Sequence, residues 1–170
     1  MKLNHLLNPK IYNQSSCEYY IGDFSSRLLW HWIFDNAPYL RNLFIDNSRE
    51  LVKDFMEYTF HEKICMDWKV NIYFLKWLEN NNILDPNIRR EMLLSSVAGW
   101  VIDHYSNINK DRILIIDYIN NKAYGGIRSN VFGFDNKIIS LNLEDNNKID
   151  NDILYSTSNN DWDLINLIRL

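Results

Sequence analysis

Apolar residues recur at helical spacing through the first two-thirds of the chain, and then the rhythm changes. Phe24, Leu28 and Trp32 stand four apart, with Leu29 and Ile33 beside them, which is the recurrence of an amphipathic helix beginning near Phe24. Pro38 breaks or restarts that helix, and Tyr39, Leu40, Leu43 and Phe44 carry an apolar face on to Asp46. Asn47 stands three residues before Glu50, a variant of the capping box. Leu51, Val52, Phe55, Met56 and Phe60 then form a helical stripe. From Met66 to Leu78 the apolar residues fall in two rows, Trp68–Ile72–Leu75–Leu78 and Val70–Phe74–Trp77. A helix apolar over most of its circumference belongs at the centre of a core. Asp85-Pro86 predicts another helix start, because Asp caps free N–H groups and Pro suits the first helical position. Ile88, Met92, Leu93, Val97, Trp100, Val101 and His104 follow at helical spacing, with an end near Tyr105.

Beyond that point the pattern reads as strands and turns. Arg112 to Ile119 is rich in β-branched residues and predicts either a strand or a short helix capped by Asn109. Gly125-Gly126 predicts a turn. Ile127 to Phe134 and Lys137 to Leu143 predict a hairpin joined by Asp135-Asn136. Ile153 to Ser156 and Trp162 to Leu170 predict two more short strands, the last equally readable as a terminal helix. The expected architecture is α+β: an N-terminal helical layer of about four to five helices, then a small antiparallel sheet. Its 170 residues suit a single domain spanning 1–170.

Composition narrows the class. A hydrophobic fraction of 46% with 24% charged residues describes a folded chain rather than a disordered one. Only two cysteines occur, Cys17 and Cys65, with no C-x-x-C pairing. That fits a reducing cytoplasm. The stretch Met1 to Pro9 lacks the continuous apolar core of a signal peptide, and no run of apolar residues is long enough to span a bilayer. A cytoplasmic protein without membrane attachment is the expectation. A net charge of −4 argues against nonspecific nucleic-acid binding, which needs clustered Lys and Arg.

Catalytic signatures are missing from the sequence. The five glycines make neither G-x-G-x-x-G nor a phosphate loop, and no G-x-S-x-G elbow occurs. His61-Glu62-Lys63-Ile64-Cys65 places a His and a Cys four apart, which loosely resembles the H-E-x-x-H of zinc hydrolases. It lacks the second His and a third ligand, so the plainer expectation is Cys65 in the core and His61 at a helix end. Asp103-His104 continues an apolar row and predicts a packed histidine. The pairs Asp150/Asp152 and Asp161/Asp163 would each share a face if extended. No metal and no cofactor are expected.

Charge is distributed unevenly. From 144 to 163, Glu144, Asp145, Asp150, Asp152, Asp161 and Asp163 face a single Lys148, a local charge of −5. Tyr155 and Trp162 are embedded among them. Carboxylates attract a basic partner and aromatics anchor an interface. These eight residues are the candidate partner-binding site, and a basic protein such as a toxin domain is the candidate partner. In general character (small, acidic, aromatic-rich and motif-poor) the chain resembles bacterial toxin-immunity proteins. That likeness implies a non-enzymatic inhibitor occluding a toxin's cleft. Two other readings remain open: a small enzyme, with or without a metal, using His61, Cys65 or the Asp pairs, and a phage or mobile-element protein that binds a host complex.

Overall fold

A computed structural model of the chain describes residues 9–103, 110–128, 137–143, 153–159, 162 and 166–169. Among the described residues five α-helices precede a five-stranded antiparallel sheet, the α+β order expected from the hydrophobic pattern. The chain divides into two compact units, Met1–Ser95 and Ser96–Leu170. Among the described residues no helix is long and apolar enough to cross a membrane.

The helical unit holds a 3-10 turn at Pro9–Ile11 and helices α1 Cys17–Phe34, α2 Pro38–Leu43, α3 Ser48–His61 and α4 Val70–Asn80; α5 Pro86–Ile102 begins in it. α1 starts seven residues before Phe24 because Ser16 caps it, its side-chain oxygen accepting from the Tyr19 N–H at 3.1 Å. Ala37 has no side chain with which to cap α2. Glu91 supplies the cap from a distance, one carboxylate oxygen accepting from Tyr39 N and the other from Leu40 N, each at 2.9 Å. Asn47 occupies the N-cap of α3 but makes no side-chain bond, so the expected capping box is not formed. Asp85 caps α5 as expected, accepting from Asn87 N at 2.7 Å and Ile88 N at 3.3 Å.

α3 and α4 end without glycine. Lys63 and Asn82 take positive φ, 52° and 62°. Lys63 N bonds back to Phe60 O, and Ile64 N to Thr59 O; Asn82 N and Ile83 N repeat the pattern on Glu79 O and Leu78 O. These are left-handed reversals that satisfy the last carbonyls of each helix. α4 is the core helix its pattern predicts, burying Val70, Asn71, Ile72, Phe74, Leu75 and Leu78. Phe74 stands edge-on to Phe55, with ring centroids 4.9 Å apart. Arg89, almost fully buried, pairs with Glu79.

The sheet unit has strands β1 Arg112–Asp117, β2 Lys122–Ile127, β3 Lys137–Asn142, β4 Ile153–Ser158 and β5 Ile168–Arg169, in the order β3-β2-β1-β4-β5. Arg112 to Ile119 thus resolves as a strand with a turn. Buried Asp117 closes that turn, one oxygen accepting from Asn120 Nδ2 at 2.8 Å. Gly125-Gly126 is a correction, since both glycines lie inside β2 rather than at a turn. A Cβ on Gly126 would stand 2.7 Å from Val97 Cγ1 and Val101 Cγ2. One on Gly125 would stand 2.8 Å from the Trp162 ring and 2.9 Å from Ile139. The absent side chains let neighbours close on both faces of the strand. β2 and β3 do pair antiparallel, but the strand entering that hairpin is 122–127, and Asp135-Asn136 lies outside the described residues. Of Trp162 to Leu170, only Ile168–Arg169 is strand among the described residues.

Candidate functional site

Helix α1 carries two apolar stripes, and among the described residues one of them is covered. Gly22, Ser26, Leu29, Ile33 and Phe34 are buried. Tyr20, Ile21, Phe24, Leu28 and Trp32 are exposed, Phe24 at 63% and Trp32 at 38%. Positions 20, 24, 28 and 32 recur about once per turn, so they climb one side of the helix. Of the residues whose spacing predicts this helix, Phe24, Leu28 and Trp32 therefore face solvent, and Leu29 and Ile33 face the core. Both stripes have helical spacing, and what distinguishes the buried one is its small residues, Gly22 and Ser26. Trp30 stacks on Phe34 with centroids 5.4 Å apart.

In the sheet unit, register sorts the side chains onto two faces. Leu114 sits opposite Gly125 and Ser156, while Ile115 sits opposite Tyr124 and Tyr155. Trp162 closes on Gly125 and packs with Leu114, Ile116 and Ala123. Arg112 lies 5.5 Å over its ring. Trp162 is partly buried on that face, and Tyr155 belongs to the opposite face with Ile115. The structure therefore does not bring these two aromatics of the acidic segment together. Glu144, Asp145, Asp150, Asp152, Asp161 and Asp163 lie outside the described residues, as does His104.

β3 forms one edge of the sheet. It pairs with β2 on one side, and among the described residues no strand pairs with the other. Ile138 and Leu141 on it are exposed. The opposite edge, β5, is two residues long. Near β2, Arg128 lies 3.6 Å over the Trp100 ring and donates from Nε to Trp100 O at 2.9 Å. Burial pulls its pKa below the usual arginine value, with Asp103 opposing.

The His61–Cys65 arrangement does not form. His61 is the last residue of α3, and the left-handed Lys63 turns the chain away before Cys65. The two cannot share a helical face. Cys65 is exposed, which corrects the expectation of a core thiol. Among the described residues no group of three or more His, Cys, Asp or Glu side chains gathers to hold a metal.

Among the described residues, these observations define a helical unit with an open aromatic side and a sheet unit with an open edge. Residues 9–142 match the family described as MbnC-like, methanobactin biosynthesis cassette protein MbnC-like. The match covers well over half of the chain, and the chain belongs to that family. It takes in all five helices and β1 to β3, and stops short of the acidic 144–163 segment. No curated protein matches the chain at a significant level. Family membership corrects the expectation of an immunity protein in a toxin–antitoxin pair, because it points to a biosynthetic role. Nothing in periodicity or spacing carried that signal.

Proposed function

We propose that this chain is a non-catalytic subunit of a biosynthetic cassette and docks through α1 onto another protein of that cassette. The observation that carries the reading is the exposed row Tyr20, Ile21, Phe24, Leu28 and Trp32. Contiguous apolar patches on a protein surface mark interaction sites. Aromatic residues are favoured as anchors, since they bury a large area for little lost rotamer freedom. Full burial of an apolar side chain contributes roughly 1.5–3 kcal/mol, and the exposed part of each of these five is the share a partner would cover. Membership in a cassette family supplies the setting in which a second protein is encoded alongside.

Co-expression with each protein of the same cassette tests the reading by the mass of the purified complex. A stable complex is expected with one of them. Phe24→Asp with Leu28→Asp should weaken it by about thirtyfold or more. Their melting temperature should stay near wild type, because both residues face solvent. Failure of every cassette protein to bind, or undiminished binding by the double variant, would overturn the proposal.

The open edge at β3 favours a second contact. Its outward N–H and C=O groups form a template for an extended peptide, and the exposed Ile138 and Leu141 offer it apolar contacts. Slowed amide exchange confined to β3 in the presence of a cassette-encoded peptide is its signature. Unchanged exchange there would remove it.

A further inference from the structure

Helices α1 and α3 flank a cleft of about 290 Å³ that is separate from the exposed apolar row. From α1 it is lined by Asp23, Arg27, Trp30 and His31, and from α3 by Arg49 and Lys53. The α1 residues recur at i, i+4, i+7 and i+8 and the α3 residues at i, i+4, so each set occupies one side of its helix.

The charges of α3 are sorted. Asp54 takes Lys10 as its partner, and Glu50 and Glu57 also act on that ammonium. The cations Arg49 and Lys53 are turned to the cleft instead, where Arg27 joins them. Three permanent cations therefore line a space containing one carboxylate, Asp23. Arg27 bonds Asp23 at 2.5 Å, Lys53 bonds the outward Glu50 at 3.0 Å, and His31 bonds Asp35 at 3.1 Å. These are same-helix pairs of the exposed kind, which an incoming anion readily displaces. Arg49 has no ion-pair partner among the described residues. Trp30 forms part of the wall, and its indole Nε1 is buried without a hydrogen-bond partner.

We infer that this cleft binds a small organic oxyanion, a carboxylate or a phosphate ester, on Arg49 and Lys53 against Trp30. Guanidinium and ammonium groups recognise both oxyanions through charge-assisted bonds. A cleft of this volume suits a small ligand rather than a length of polypeptide. Asp23 sets selectivity, because it repels an anion lacking the geometry to engage the α3 cations first.

The test uses the full-length protein and its indole N–H resonances, one for each of six tryptophans. Trp30→Phe assigns the Trp30 signal. Citrate and pyrophosphate are titrated separately. The Trp30 signal should move saturably with at least one of them, with a midpoint of about 1 mM or below. Movement with citrate alone identifies a carboxylate ligand, and movement with pyrophosphate alone a phosphate ligand. Arg49→Gln with Lys53→Gln should raise the midpoint about tenfold or more while Lys122→Gln leaves it unchanged. A Trp30 signal that ignores both anions, or responds equally in the Arg49/Lys53 double variant, overturns the inference. Far-ultraviolet circular dichroism confirms that each variant is folded. The apolar row plays no part in the readout, so loss of partner docking and loss of anion binding are separable.

Discussion

α1 in the helical unit has more apolar surface than its core uses, whereas β2 in the sheet unit has less side chain than its length allows. Phe24 and Leu28 are left in solvent. Gly125 and Gly126 are stripped to backbone so that Trp162, Ile139, Val97 and Val101 can close in. An apolar residue is thus not in itself a core residue, and a glycine is not in itself a turn. In the helical unit a stripe becomes buried where small residues admit a neighbour. In the sheet unit the small residues are the contact.

The sharpest way to break this comparison is to add one carbon to β2. Gly126→Ala puts a methyl 2.7 Å from two valines and 3.0 Å from Ile113 Cγ2, all of them buried. Overpacking of this kind costs about 3 kcal/mol. Gly125→Ala meets the rim of the Trp162 ring and the half-buried Ile139, which have more room to yield, and should cost about 1 kcal/mol. Phe24→Ala, which removes far more, should change stability by only about 0.5 kcal/mol because Phe24 faces solvent. Thermal denaturation ranks the three. If Gly126→Ala melts with wild type, or Phe24→Ala costs more than it does, the contrast between the units fails.

The same contrast explains how much the sequence disclosed. Helix starts set by local chemistry were legible: Pro38, and Asp85-Pro86 with its two backbone bonds, stand where the pattern predicts. The α4 core followed from two interleaved apolar rows. Features decided by distant neighbours were not legible. Gly125-Gly126 looks like a turn because Val97 and Trp162, whose approach explains it, lie far away in sequence. Lys63 and Asn82 end their helices in a conformation usually left to glycine, which hid the reversal separating His61 from Cys65. The exposed row on α1 has the same period as a buried one. The six carboxylates of the acidic segment, the chief candidate on charge and aromatic content, lie outside the described residues, and the segment lies beyond the family match.

A middle-sized effect tests whether the helical unit also depends on distant groups. Glu91 of α5 caps α2, giving two carboxylate acceptors to Tyr39 N and Leu40 N. Glu91→Ala leaves both N–H groups without that partner and should cost about 1–2 kcal/mol. Glu91→Gln keeps one acceptor and should cost about half as much. Equal melting of Glu91→Ala and wild type would show that water replaces the cap, and that α2 is held by Leu40 burial alone.

The smallest effect is a pH dependence confined to the helical unit. Tyr39 Oη donates to Asp85 Oδ2 at 2.8 Å. That bond, helped by the Asn87 and Ile88 N–H groups, holds the Asp85 carboxyl below its usual range, and it pushes the Tyr39 hydroxyl above its own. Folding therefore favours ionised Asp85. Its contribution is present above the ordinary aspartate value of about 4 and is lost as pH falls through the lower folded value. For Tyr39 the sign reverses: folding favours the neutral phenol, and the contribution present below about pH 10 is lost as pH rises through the folded value. Tyr39→Phe deletes the bond. The melting temperatures of wild type and variant should differ by a constant small amount from about pH 5 to 8, and the gap should close below about pH 4 as Asp85 protonates. Both groups face solvent, so water and salt screen the effect to a degree or two at most. A gap that persists undiminished to about pH 2 would mean that Tyr39 acts through packing rather than through the charge on Asp85.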